Sequence, residues 1–261
     1  MKTDNQEIPV VYYTDELNDE FSTTPIDAIT IDENYKYGDN SFWWRFRHFM
    51  FYRVFATPLA FLFLKIKYRQ KFVNREVIKK YKKEAFFIFG NHTNPMADAF
   101  VPTFTSFPKA AYIIVNADNV SIKGLGQSTK FLGATPLPGN SAAVKNFLNV
   151  IKLRVETKNA ICIYPEAHIW PFYTKIRPFV DTSFRYPVTY KTPVFSFTNT
   201  YQRRKNSSKP QIVTYIDGPF FADETLSAKD QRSDLRNKVY NAMCARTVNN
   251  NIELVKYIKK D

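Results

Sequence analysis

Two histidines and two carboxylates stand at positions of this chain where chemistry could be done. His92 lies in Gly90-Asn91-His92-Thr93-Asn94-Pro95-Met96-Ala97-Asp98, and His168 in Tyr164-Pro165-Glu166-Ala167-His168. The 261 residues contain three histidines, so these two short blocks hold most of them. An imidazole beside a carboxylate is a common device for taking a proton from a hydroxyl near neutral pH. His92 and Asp98 could thus be a base and the group that orients it. They could as well be a turn residue and a first-turn carboxylate favoured by a helix dipole. Glu166 follows a proline at a strand end, where a lone carboxylate needs a cation, a donor or a polar ligand. His168 could join it or lie on the surface.

Each block follows an apolar run that reads as a buried strand, residues 85–89 and 160–163, and α/β domains build sites at such strand ends. Asn94 suits a helix N-cap and Pro95 the first helical position, which predicts a helix over residues 95–106 with Asp98 about one turn inside. Further strands are expected at 112–115, 193–197 and 211–216. A helix over 142–158 would place Val144, Phe147, Leu148, Ile151 and Val155 on one face. Another is expected over 227–245, with a second helical piece closing the chain. Strands separated by helices indicate an α/β domain with a mixed, mostly parallel sheet flanked by helices.

The composition, 44% hydrophobic and 16% aromatic, is that of a folded chain. Its formal charge of +13 is uneven. Residues 1–40 hold ten acidic and two basic residues, a net of −8, which leaves +21 for the rest. Such a surface attracts anions: nucleic acid, an anionic bilayer or an acidic protein. No reading helix or aromatic-strand motif supports nucleic acid. Cys162 and Cys244 give neither a disulfide framework nor metal spacing, and a reducing compartment is the simplest reading. The acidic first twenty residues do not read as a secretory leader.

Three segments are expected: an acidic extension over 1–40, a basic and aromatic segment over 41–84, and the α/β domain over 85–261. The extension reads as a mobile tail or as a strap over the basic surface, with one short helix around 14–21. In the second segment, Phe42-Trp43-Trp44-Arg45 leads into an apolar run over 54–64, followed by Lys65, Lys67, Arg69 and Lys71. That run falls short of the ~20 residues a spanning helix needs. Its aromatic and basic flanks fit a helix lying in a membrane interface.

Taken in order, the motifs resemble those of the glycerolipid (1-acylglycerol-3-phosphate) acyltransferase family. Asn91-His92 followed by Asp98 resembles its first block, and Pro165-Glu166 its third. Leu132-Gly133-Ala134-Thr135-Pro136-Leu137 looks like its second block. Ile176-Arg177-Pro178-Phe179 and Thr192-Pro193-Val194-Phe195-Ser196-Phe197 look like the stretches that follow. The resemblance implies acyl transfer from an acyl thioester, acyl-CoA or acyl-ACP, to a hydroxyl of a lysophospholipid such as 1-acylglycerol-3-phosphate. By position, His92 would be the general base and Asp98 its orienting group. Asn91, Gly133, Glu166, His168, Lys175 and Arg177 would bind substrate, with Gly133 beside the acceptor's phosphate. No bound cofactor or metal is implied. The expected setting is peripheral, on the cytoplasmic face of the cell membrane. The expected partners are an anionic membrane surface, the lysophospholipid and, as an acidic donor partner, acyl carrier protein.

The chain departs from the family in three places. Five residues separate His92 from Asp98 where four are usual, and one extra residue in a continuous helix rotates a side chain by ~100°. An extra residue within the turn ahead of a capped helix would avoid that rotation. Pro138-Gly139-Asn140 stands where an arginine usually meets the acceptor's phosphate, and Glu166-Ala167-His168-Ile169 replaces Glu-Gly-Thr-Arg. Lys130, Lys175, Arg177 and Lys191 are candidate replacements, since phosphate needs donors and positive charge rather than one residue type. Another lipid or glycolipid acceptor, or a non-catalytic lipid-binding role, stays open at this point.

Overall fold

The apolar runs around the two blocks become the centre of a sheet. The computed structural model describes residues 8–21, 27–205 and 207–260; parts of the acidic extension, 1–7 and 22–26, lie outside them. In chain order the main elements are β1 (Val10–Tyr13), helix α1 (Phe42–Tyr68), β2 (Lys71–Val73), β3 (Phe86–Gly90) and α2 (Val101–Thr105). Next come β4 (Ala111–Val115), β5 (Ala134–Pro136), α3 (Val144–Glu156), β6 (Ala160–Ile163) and α4 (Arg185–Tyr190). β7 (Val194–Arg204), β8 (Ser207–Phe220), α5 (Ala228–Arg246) and β9 (Lys256–Lys259) complete the chain.

Seven strands form one sheet in the order β2-β8-β7-β3-β6-β4-β5. The β7–β8 pair is antiparallel and every other neighbouring pair is parallel. This is a mixed, mostly parallel sheet flanked by helices. β3 and β6 are buried at every residue, as continuous apolar runs in a doubly covered parallel sheet should be. Successive side chains point to opposite faces. Phe87 and Phe89 pack with Phe147 and Ile151 of α3 and Val239 of α5. Phe86 and Ile88 face Leu64 of α1 and Val101 of α2.

The expected elements differ from the structure at several ends. β7 runs on to Arg204 rather than stopping at residue 197, because the polar Thr198, Asn199 and Thr200 are buried. The chain closes on a strand, not a helix: β9 pairs in parallel with β1. Residues 16–18 form a turn where a short helix was expected. The Asp15 side chain draws it closed by accepting the Leu17 amide at 2.8 Å. The extension is tied down elsewhere too, with Ile31 fully buried and the Tyr37 hydroxyl donating to the Pro136 carbonyl at 2.9 Å.

The segment after it is longer than its apolar run implies. Arg45, Arg47 and Arg53 interrupt the hydropathy but not the helix, which covers 27 residues and is long and apolar enough to cross a membrane. Ser41 caps its start, and its middle, Phe49–Ala56, is π-helical ahead of Pro58, whose ring cannot donate to the preceding turn. Tyr52, Ala60, Leu64 and Tyr68 lie on one stripe buried against the domain. Trp43, Phe46, Phe55, Leu59 and Leu62 are exposed.

Candidate active site

The turn after β3 is built around one carboxylate. Asp98 is 2% exposed, and its Oδ2 accepts from the backbone N–H of Thr93 (2.9 Å) and Asn94 (2.8 Å). The same oxygen meets Nδ1 of His92 at 2.9 Å. Its Oδ1 accepts from the Asn199 side chain of β7 at 3.2 Å. A carboxylate oxygen can only accept here, so the proton sits on Nδ1 and Nε2 carries the lone pair. Nε2 has no hydrogen-bond partner among the described residues, and the side chain is 25% accessible. The ring stacks on Tyr164, with centroids 4.4 Å apart, and the Tyr164 hydroxyl donates to the Asp98 carbonyl at 2.5 Å.

The extra residue between His92 and Asp98 is absorbed without a helix. Residues 95–100 form consecutive turns and α2 begins only at Val101, not at Pro95. Asn94 still caps: its Oδ1 accepts from Ala97 N at 2.9 Å and Met96 N at 3.2 Å. The ~100° rotation therefore does not arise, because the chain folds around the carboxylate before any helix starts. Tyr68, at the end of α1, donates to the same Asn94 oxygen at 3.3 Å, which places the long helix beside this turn.

Glu166 is 3% exposed, and both of its oxygens are engaged by main chain. Oε2 accepts the His92 N–H at 2.8 Å and Oε1 the Arg177 N–H at 2.9 Å. Burial raises its pKa, and the Arg177 charge and the two amide bonds pull the other way. It fixes the His92 backbone rather than facing an open space. Arg177 is 1% exposed, lies over the Trp170 ring, and donates to the carbonyls of Glu166, Glu16 and His168. Its guanidinium is spent on backbone and is not presented to a ligand. Asn91 is likewise buried, and its side-chain amide exchanges two hydrogen bonds with the Asn199 backbone.

Other expected positions lie elsewhere. His168 pairs with Glu20 at 3.2 Å near the surface, and Lys175 is exposed. Lys191 pairs with Glu224 at 2.6 Å just before β7 begins, at the opposite edge of the sheet. Gly133 is also on the wrong edge for a phosphate contact. Strand register sets Ala134 level with Ile113, Cys162 and Ile88, so Gly133 is level with Phe87. It sits about 16 Å before His92 along the strands. Its backbone explains the glycine instead: φ is +92°, and a Cβ would come within 2.4 Å of the Ala111 carbonyl.

Two contributors escaped the sequence reading. Asn199 is an amide inside a buried strand, and a buried amide must find partners. Tyr164 stands in the sequence only as the residue before Pro165. The loop beyond Glu166 adds a cover, since Trp170 N donates to the His92 carbonyl at 3.2 Å and Phe172 N to the Thr93 carbonyl at 2.6 Å. Together these groups hold one imidazole at the carboxyl end of a central parallel strand, with its outer nitrogen free to take a proton.

No protein-family model and no curated protein matches the chain. Its fold is similar to the crystal structure of the 1-acyl-sn-glycerophosphate (LPA) acyltransferase PlsC from Thermotoga maritima. The TM-score is 0.54 at 15% sequence identity, over 80% of this chain and 88% of that one. At that identity the likeness is one of fold.

Proposed function

We propose that this chain is an O-acyltransferase that moves an acyl chain from an acyl thioester to a lipid hydroxyl, with His92 as general base. The observation that carries the reading is the 2.9 Å contact of Nδ1 with Asp98, which leaves Nε2 without a partner among the described residues at the end of β3. An acceptor hydroxyl within about 3 Å of Nε2 gives up its proton as its oxygen attacks the thioester carbonyl carbon. Asp98 stabilises the imidazolium that forms and holds its tautomer. Collapse of the tetrahedral intermediate breaks the carbon–sulfur bond, and the proton on Nε2 passes to the departing sulfur. The similarity to an LPA acyltransferase favours a lysophospholipid such as 1-acylglycerol-3-phosphate as the acceptor.

Arg177 is committed to the fold, so charge for a phosphate has to come from elsewhere. A hollow of about 290 Å³, formed by the connection between β4 and β5 together with residues 29–36, is lined by Lys36, Lys123 and Lys130. These lysines are the proposed phosphate contacts.

The setting we propose is peripheral. α1 is docked along the domain by Tyr52, Ala60, Leu64 and Tyr68, so crossing a bilayer would take the domain with it. Lying in the interface, it immerses Trp43, Phe46 and Leu59 and keeps its basic flanks at anionic headgroups. A screen of lysophospholipids and other lipid hydroxyls against acyl-CoA and acyl-ACP donors tests the assignment. We expect thioester-dependent product with a lysophospholipid; no product with any pair would overturn the enzyme reading.

A further inference from the structure

A cleft of about 610 Å³ opens where the end of α1, β2 and the far end of β7 meet. Its walls carry Lys65, Arg69, Lys71, Arg203, Arg204 and Lys205, and no acidic residue lines it among the described residues. Segments more than a hundred positions apart in sequence thus converge six cations on one concavity. None of the six is in an ion pair among the described residues. Cations crowded together repel one another, and a bound anion relieves that repulsion.

The frame is rigid. Arg69 ends α1 in a left-handed conformation, and the Gln211 side chain donates to its carbonyl at 2.7 Å. Arg204 donates to the carbonyls of Lys67 (2.6 Å) and Pro210 (2.8 Å), and the Arg203 amide to Asn251 Oδ1 at 2.6 Å. Burial lowers the Arg204 pKa and the neighbouring Arg69 charge adds to the effect. By contrast Lys65, Lys71 and Lys205 are exposed and make no side-chain hydrogen bond among the described residues. With Arg204 held by main-chain carbonyls as part of the wall, the exposed Lys65, Arg69, Lys71, Arg203 and Lys205 around it suit a compact group with several acceptor oxygens, and phosphate is the common one.

Position separates this cleft from the acceptor site. Asn199, which bonds to Asn91, marks the level of His92 on β7, and Arg204 lies five residues further on, about 16 Å. A three-carbon glycerol with bonds of about 1.5 Å cannot put its hydroxyl at His92 and its phosphate here. Ile66 of α1, 70% exposed, forms part of the wall, and exposed Phe61 and Leu62 lie just before it on α1. An anion seated here therefore has an apolar surface beside it, as a lipid headgroup requires and a soluble anion does not.

We infer that this cleft is a second phosphate site, holding the phosphate headgroup of an anionic bilayer lipid that is not the reacting acceptor. It shares the membrane seat of α1 with the proposed function, and nothing in it depends on the chemistry at His92. The test is flotation of the full chain with phosphatidylcholine vesicles containing phosphatidic acid. Lys65, Lys71 and Lys205 are changed together to Gln, and compared with the same change at Lys79, Lys80 and Lys83, which are exposed outside the cleft. The cleft triple variant should bind about 100-fold more weakly than the native chain. The control, with equal charge removed, should retain most of its binding. Equal losses in the two variants would reduce the site to diffuse surface charge, and native binding by the cleft variant would overturn it outright. Glycerol phosphate in solution separates the sources. It should fail to displace the chain from vesicles, and displacement at low millimolar concentration would reassign the cleft to a soluble phosphate. Acyl transfer to a detergent-dispersed acceptor reads His92 without the cleft, so the two proposals fail separately.

Discussion

Two histidines of this chain show how surroundings decide what an imidazole can do. His92 and His48 both present Nδ1 to an oxygen that can only accept, Asp98 Oδ2 in one case and the Phe131 carbonyl in the other, each at 2.9 Å. Both rings therefore carry the proton on Nδ1. The difference lies at Nε2. In His48 it meets the Tyr112 hydroxyl at 3.3 Å, and the ring is stacked against Trp44 (5.0 Å) and Tyr112 (5.4 Å). In His92 that nitrogen is open. His48 also lacks a carboxylate, and burial pushes its pKa down to about 4, with the Phe131 carbonyl opposing and Arg154 and Arg53 adding to the fall. A ring enclosed by aromatic neighbours and arginines, with no anion to hold a charge, serves to dock a helix. A ring with an anion behind it and an open nitrogen in front can accept a proton and hold the charge.

Asp98→Asn attacks the comparison hardest. An amide cannot accept from His92, Thr93 and Asn94 and also from Asn199, so one donor is left facing an NH2 group. Acyl transfer should fall by about 10²- to 10⁴-fold, the usual worth of a positioned general base. The corresponding change at the other ring, His48→Gln, should leave turnover on a dispersed acceptor unchanged in steady-state assays.

Acid should act through His48. The unfolded ring takes up a proton near pH 6.5 and the folded one only near 4. Stability from this group is thus full above about pH 6.5 and is lost as the pH falls towards 4, by roughly 3 kcal/mol. Urea unfolding across that range should show the loss, and His48→Gln should flatten it. An unchanged slope would mean that His48 is not held neutral.

Glu166→Gln has the smallest expected effect. One of the two backbone N–H groups that Glu166 accepts would meet another donor, at a cost of about 1–3 kcal/mol in stability. Thermal unfolding measures that cost, and the accompanying rate loss should be smaller than for Asp98→Asn.

The central strands were legible because burial on both faces demands unbroken apolar runs, and residues 85–89 and 160–163 supply them. The two blocks at their ends were legible for the same reason. What the sequence hid was side-chain competition for backbone groups. Asn94 and Asp98 look like a cap and a helical carboxylate, yet between them they take up the amides of Thr93, Asn94, Met96 and Ala97, and the helix starts late. Glu166 and Arg177 look like ligand-facing charges, and both are consumed in fixing loops. β9 could not be read at all, since its partner β1 lies at the other end of the chain. Asn199 was hidden by an apolar context that ends two residues before it.

The central claim, that His92 takes the acceptor's proton, meets its most direct test in one comparison. Acyl transfer from a thioester to a lysophospholipid is measured for the native chain and for His92→Ala, with the melting temperature of each recorded. A fall of about 10²- to 10⁴-fold in kcat with folding intact is the predicted result. Unchanged turnover in the folded variant would contradict the account.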